Sequence, residues 1–381
     1  MTRGEPGIRY PILATMKKLI LSNLIHRPMR TLISVVAIAV EVTLILLIVG
    51  LSLGILNDNR DRTKGTGADI LVRPPGSSFI SALGGSPVSV KIADVLRKLP
   101  HVAAVAPVAA QTSSGGNIEV IYGIDLPRFE ELRPFRYIEG GPFQGPDDAI
   151  VDDFFAASKK VRVGDQIEIL NHNFRVAGIV ENGHGARKFI PMETMQSLTG
   201  AEGKASIFYV RADDPKNADL IVDEIKKVPG MEKYNTMSMR EWLSLMTPGN
   251  IPGFSAFIKV VVGVAVIIGF IVIFQAMYTA VMERTREIGI LKSMGASKLY
   301  IVNVIVGETI VLAIGGIICG ILISIAARGG ILAKFPTLRM EMTPTWIMYA
   351  TVIALIGAIL GGIYPAFKAA RKDPIDALAY E

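Results

Sequence analysis

Apolar residues gather in four long runs, at positions 31–56, 254–282, 299–327 and 346–367, and about 200 residues of mixed polarity separate the first two. The first run carries Glu41 as its single charge across about 26 residues. At 1.5 Å per residue that length exceeds a hydrocarbon thickness of roughly 30 Å, and the other three runs pass the same test. The pattern predicts four transmembrane helices, one before and three after a large domain. An even number of spans puts both termini on one side. Arg30, Arg284, Arg286, Lys292, Lys298, Lys368, Arg371 and Lys372 flank the runs on that side, which makes it cytoplasmic and residues 57–253 external. The first thirty residues lack an apolar core followed by a small-residue cleavage site, so residues 31–56 are expected to act as an uncleaved signal anchor. Leu19, Ile20, Leu24 and Ile25 alternate with Lys17 and Lys18, a pattern for an amphipathic segment within residues 1–30 along the cytoplasmic headgroups, or for an extension of the first span.

The long polar interval is large enough for its own core. Residues 68–72 and 101–108 have strand character, and between them Ile92, Val95, Leu96 and Leu99 share a helical face. The order recurs later, with strands at 205–210 and 232–237 and helices at 218–228 and 239–246. Short strands are expected at 149–151, 165–170, 174–180 and 188–191. This predicts an α+β lobe made of the two flanking parts, with a smaller β-rich lobe at about 125–204 inserted between them. Pro248, Gly249, Pro252 and Gly253 mark the return to the membrane, as a hinge or a plain helix stop. Residues 328–345 form a short outer loop, and residues 368–381 a cytoplasmic tail.

Composition agrees with a part-membrane protein. The 381 residues are 50% hydrophobic and 19% charged, with a net charge of +6, and mean hydropathy is +0.43. The basic excess sits beside the apolar runs, which points to lipid headgroups and excludes a nucleic-acid partner. The only cysteine, Cys319, lies inside an apolar run, so no intrachain disulfide can form.

Residues 283–297 form a charged island between two runs. Ile288, Leu291 and Met294 recur at three-residue steps and predict a packing face, while Glu283, Arg284, Arg286, Glu287 and Lys292 point elsewhere. Composition alone fits either a docking helix or an ordinary basic loop. Within the runs, Glu41, Gln275 and Glu308 share a depth of roughly 12–15 Å from the cytoplasmic ends. A polar layer facing the bundle or a dimer seam is expected, with at least one carboxyl protonated, or else a role in fixing helix rotation. No Lys, Arg or His lies at that depth to relay protons. Gly316 with Gly320, and Gly357 with Gly361, allow close helix approach, within the chain or between two copies.

Other chemistry is not signalled. No Gly-x-x-x-x-Gly-Lys-Ser/Thr segment occurs, so this chain is expected to bind no ATP, to need a partner ATPase, and not to be an enzyme by itself. His101, His172 and His184 lack ligand spacing and are expected to be solvated, with no metal bound. Asp147, Asp148, Asp152 and Asp153 lack calcium-loop spacing and suggest a solvated acidic turn. An ion-coupled secondary transporter would show repeated, interrupted helices, which one helix plus three does not provide.

The island together with Tyr364-Pro-Ala-Phe-Lys-Ala-Ala-Arg-Lys-Asp-Pro-Ile-Asp-Ala-Leu near the C-terminus resembles the membrane subunits of the MacB/FtsX-type, or type VII, ABC transporters, and is similar to the LolC/LolE and DevC permeases. That resemblance implies a permease subunit of the bacterial inner membrane, with ATP and Mg on a separate ATPase present in two copies. It implies a second permease chain, identical or related, membrane-lipid contacts, and a periplasmic adaptor or lipoprotein partner. The island would be the coupling helix, carried by Glu283, Arg284, Thr285, Arg286, Glu287, Ile288, Gly289, Leu291, Lys292, Gly295 and Ala296. The implied work is mechanotransmission on lipid-linked, lipoprotein or periplasmic cargo. The alternative within this resemblance is an FtsX-like signalling subunit that regulates a cell-wall hydrolase without transport.

Overall fold

The computed structural model describes residues 28–77, 86–113, 119–251, 253–335 and 337–371. The amphipathic segment expected within residues 1–30 lies almost wholly outside them, as do the tail and the end of the C-terminal motif beyond Arg371. The chain divides into a membrane unit (Met1–Ser52, Ala256–Gly330, Met340–Glu381) and a head unit (Leu53–Ser255, Ile331–Arg339). Among the described residues, four helices are long and apolar enough to cross a membrane, one before and three after an α+β extracytoplasmic domain.

These helices are α1 (Pro28–Lys64), α8 (Phe254–Glu283), α10 (Lys298–Lys334) and α11 (Pro344–Arg371), and a short α9 (Thr285–Ser293) joins the second to the third. The 37 residues of α1 reach about 55 Å, so its polar end continues past the hydrocarbon. The outer loop is shorter than expected because α10 runs on to Lys334.

Among the described residues the head holds a ten-stranded sheet and a separate two-stranded one. Its first part is a split β-α-β arrangement. Strand β1 (Ile70–Arg73) leads, past a two-residue β2 (Val88–Ser89), to helix α2 (Ile92–Leu96) and strand β3 (Val102–Ser113). Strand β11 (Ile207–Ala212) leads to helix α6 (Ala218–Lys227) and strand β12 (Asn235–Ser238), followed by helix α7 (Met239–Leu245). β11 lies between β1 and β3 and is antiparallel to both, and β12 pairs with β1. Alternation along these strands builds two cores. Ile70, Val72, Phe208 and Val210 meet Leu96, Ile221 and Ile225 on one face. Leu71, Ala106 and Tyr209 meet Leu56, Trp242 and Met246 on the other.

The inserted segment extends this sheet. It comprises β4 (Glu119–Ile124), α3 (Leu126–Glu130), β5 (Tyr137–Gly140), β6 (Asp148–Asp152), α4 (Asp153–Lys159), β7 (Gln166–Ile169), β8 (His172–Val180), β9 (Lys188–Pro191), α5 (Met192–Thr199) and β10 (Lys204–Ala205). β4 pairs with β3 on one side and, in parallel, with β9 on the other, Ile121 opposite Lys188 and Gly123 opposite Ile190. The two expected lobes therefore share a backbone ladder. Pairing between strands about 65 residues apart leaves no local periodicity, which is why the sequence suggested a separate insert.

The acidic turn is also different from expectation. Asp147 is exposed, but Asp148 and Asp152 are buried. Arg175 holds Asp148 through two bonds of 2.9 and 3.2 Å. His101 and His172 pair with Asp213 and Asp147, whereas His184 is buried with its ring 4.7 Å from that of Phe135. Burial and the nearby Arg133 guanidinium hold the His184 pKa below its usual value. At the return to the membrane Gly253 takes φ +78°, and Pro252 lies outside the described residues.

Candidate functional site

Residues 283–297 fold as a short helix set between two long ones. Arg284 breaks α8 from α9 with φ −107° and ψ 17°. Thr285 Oγ1 donates to the carbonyls of Val281 and Met282 at 3.2 and 2.9 Å, which covers polar groups at the break. At the far end the Ala296 N–H donates to the Leu291 carbonyl and the Gly295 N–H to the Lys292 carbonyl, both at 3.0 Å. This closure needs a left-handed residue, and Gly295 supplies it at φ +93°. Ser297 Oγ then accepts the Tyr300 N–H at 3.2 Å and caps α10.

The helix has two faces. Arg284, Thr285 and Gly289 are buried, and Ile288 and Leu291 are half-buried beside Met277, Tyr300 and Ile301. Glu283, Arg286, Glu287, Ile290, Ser293 and Met294 are exposed. Their spacing of three and four residues makes one continuous outward stripe. Its apolar members are Ile290 and Met294, 43% and 71% exposed. The expected packing face of Ile288, Leu291 and Met294 is therefore wrong at one end, and the outward placement of Arg284 is reversed. Met294 is the C-terminal cap, where helical period stops governing direction. Arg284 turns inward to a partner 24 residues away, which local spacing cannot reveal. Ile290 was missed, although its four-residue step to Met294 was the available signal.

Lys292 does not join the outward stripe. It is half-buried, and its Nζ donates to the Ala370 carbonyl at 3.1 Å in the last turn of α11, where a cation complements the helix end. Gly295 is exposed and Ala296 half-buried in the turn that follows.

Glu308 on α10 is 2% exposed and lies between two cations. Arg284 Nη1 donates to its Oε2 at 3.2 Å, and Arg30 Nη2 donates to its Oε1. One carboxylate thereby joins α1, the α8–α9 break and α10. The expected layer of Glu41, Gln275 and Glu308 without nearby cations is not formed. Glu41 is buried with its carboxylate against Gly269 of α8, where a Cβ would stand 1.9 Å from Oε2. Gln275 is exposed and lines a groove of about 450 Å³ with Arg30, Ile33, Thr279 and Glu283. Arg30 and Arg284 lie in the polar flanks of the apolar runs, and equal residue counts from helix ends could not show that their long side chains reach Glu308.

The glycines work within the chain. A Cβ at Gly316 would lie 2.5 Å from Ile38 Cβ, and one at Gly320 2.8 Å from the Ala39 carbonyl, so α10 sits directly on α1. Gly361 approaches the Phe270 carbonyl of α8, and Gly362, not singled out from sequence, meets Thr309 of α10. A Cβ at Gly357 would meet nothing within 4 Å.

Comparison with known proteins places this chain, by its sequence, among membrane permeases. Residues 31–228 match the MacB-like periplasmic core domain, and residues 259–374 match the FtsX-like permease C-terminal region. A macrolide export ATP-binding/permease protein MacB of Shewanella is 26% identical across 96% of this chain and 60% of its own length. The uncharacterised ABC transporter permease YknZ of Bacillus subtilis is 31% identical across 57% of this chain and 55% of its own length. The chain spans about 60% of the length of the first of these curated relatives. The periplasmic region of MacB from Actinobacillus actinomycetemcomitans aligns with 47% of the chain at 16% identity and a TM-score of 0.36.

Proposed function

Because this chain belongs to the MacB/FtsX-type ABC transporter permeases, we propose that the outward stripe of α9 is the seat of an ABC ATPase whose hydrolysis drives work outside the membrane. The observation that carries this reading is an exposed Ile290–Met294 pair flanked by Arg286 and Glu287, on a helix braced from behind by Arg284 and Lys292. An apolar centre with a charged rim is the composition of a protein interface. The brace gives it a rigid backing against three long helices.

In this reading α9 faces the cytoplasm and both termini lie on that side of a bacterial inner membrane. ATP and Mg reside on the ATPase, present in two copies beneath two permease chains, alike or related. Names such as ATP-binding/permease protein among the relatives support a motor of this kind. Closure of the ATPases would move α9, and α8, α10 and α11 would carry the stroke outward. The cargo class is lipid-linked, lipoprotein or periplasmic, handled with an adaptor or lipoprotein. Regulation of a hydrolase without transport is the less favoured reading, since residues 31–228 match the MacB-like core.

The test is cysteine cross-linking in membranes that contain this chain and candidate ABC ATPases from the same cell. A cysteine at Ile290 or Met294 should form a cross-link to an ATPase, and one at Gly289 should not. Labelling of Met294 from outside the cell, or absence of any ATPase adduct, would remove the proposal.

A further inference from the structure

A second site lies in the head, where the polar end of α1 meets helix α7. Arg60, Lys64, Gly67, Ala68, Asp69, Met239, Arg240, Leu243 and Ser244 enclose a cleft of about 480 Å³. Arg60 and Lys64 are four apart on one helix and so share a face. Among the described residues neither forms an ion pair. The acids beside them on α1 are already engaged: Asp58 with Arg62 and Arg187, Asp61 with Arg339. Arg240 pairs with Asp219 at 3.1 Å. Asp69, the acid of the cleft, accepts the Ala212 N–H at 2.9 Å through Oδ2. Two cations without counter-ions thus stand beside an apolar wall of Ala68, Met239 and Leu243.

That combination asks for a ligand with an anion and a tail. Arg60 and Lys64 follow Leu56, where the apolar run of α1 ends, by about 6 and 12 Å along the helix axis. A headgroup layer is roughly 5–7 Å deep on each side of the hydrocarbon, which places Arg60 at its depth and Lys64 just beyond it, within the reach of a long side chain. We propose that the cleft binds the phosphate of an anionic phospholipid, with Arg60 and Lys64 on the phosphate and Met239 and Leu243 against the first carbons of the tail. Guanidinium and ammonium groups suit phosphate oxygens through charge-assisted hydrogen bonds, and basic groups near an anionic leaflet gain further from its potential. The proposal deepens the functional reading and rests on its external placement of the head.

Native mass spectrometry of the purified full chain in a non-ionic detergent tests it. Short-chain phosphatidylglycerol, inorganic phosphate and short-chain phosphatidylcholine are titrated separately. Phosphatidylglycerol should bind, and the Arg60→Gln/Lys64→Gln double variant should bind it about thirtyfold more weakly, at about 1 kcal/mol for each cation removed. Leu243→Ser, which leaves both cations, should weaken phosphatidylglycerol without changing any binding of phosphate. Lys64→Glu alone provides a single-site version should the double variant fold poorly. Unchanged phosphatidylglycerol binding in the charge variants overturns the site. Competition by inorganic phosphate as strong as by the lipid assigns the cleft to free phosphate and overturns the lipid. No ATPase enters this measurement, so its failure leaves the coupling reading intact, and failure of ATPase cross-linking leaves the cleft intact.

Discussion

Arg187 and Asp152 meet at 2.9 Å inside the head. The same guanidinium reaches Asp58 at 3.0 Å and the Thr337 carbonyl at 3.2 Å. One side chain therefore joins β6, the outer end of α1, and the loop between α10 and α11. Arg339 adds a bond of 2.7 Å from that loop to Asp61 of α1. Chain segments up to 279 residues apart are held by a planar donor fork, which Lys could not reproduce.

Burial pushes the Asp152 pKa up to about 6, against the pull of Arg187 and of the Phe155 N–H it accepts. A carboxyl raised in the folded state contributes stability that is full below its unfolded value of about 4 and is lost as pH rises through about 6. About two units correspond to ~3 kcal/mol. Urea unfolding of the purified chain in detergent, from pH 4 to pH 7, should show wild type losing stability relative to Asp152→Asn. A difference that stays constant across that range would show that Asp152 does not titrate there.

Glu308 is the shared anion of Arg30 and Arg284. Glu308→Leu would take this anion from the buried Arg284 and the half-buried Arg30, and removing one partner from a buried ion cluster costs about 3–5 kcal/mol. Glu308→Gln keeps hydrogen-bond acceptance but not the charge, and should cost less. Thermal unfolding in detergent micelles should rank wild type above Glu308→Gln and Glu308→Leu lowest. Equal melting temperatures would mean that the cluster adds nothing to stability.

The two kinds of feature were not equally legible. The four apolar helices could be read because a membrane demands length and hydropathy that few residues can fake, and β1, α2, β11 and α6 because their periods are local. The parallel β4–β9 pairing could not, since its partners are distant in sequence. In the island, the existence of α9 was readable from the three-residue spacing of Ile288, Leu291 and Met294. The inward turn of Arg284 and the attachment of Lys292 to α11 depend on Glu308 and Ala370, which no window around the island contains. Asp148 and Asp152 misled for the same reason: Arg175, itself exposed, covers Asp148, and Arg187 forms a buried pair with Asp152.

Gly320 and Gly357 make opposite predictions from the same residue type. A side chain at Gly320 would strike the Ala39 carbonyl and Val42 of α1, and Thr43 Oγ1 donates to the Gly320 carbonyl at 3.1 Å. Gly320→Val should therefore lower stability by about 1–3 kcal/mol or more through overpacking. Gly357→Ala meets open space and removes glycine's backbone freedom, so it should be neutral or slightly stabilising. Melting temperatures of both variants decide, and equal tolerance at the two positions would contradict the observed α1–α10 contact.

Lys292 separates docking from transmission. Its side chain leaves the outward stripe intact and grips α11 through the Ala370 carbonyl, so Lys292→Met removes a link behind the proposed ATPase seat without altering the seat. Arg286→Ala does the reverse, because Arg286 is exposed on the stripe. In reconstituted membranes Lys292→Met should retain the ATPase but reduce coupled external movement, measured by spin labels on the head. Arg286→Ala should weaken ATPase retention itself, by about threefold to tenfold if its contact is worth about 1 kcal/mol at an interface rim. If Lys292→Met instead releases the ATPase while Arg286→Ala keeps it, the face that docks is the one turned toward α11, and the outward stripe is only solvated surface.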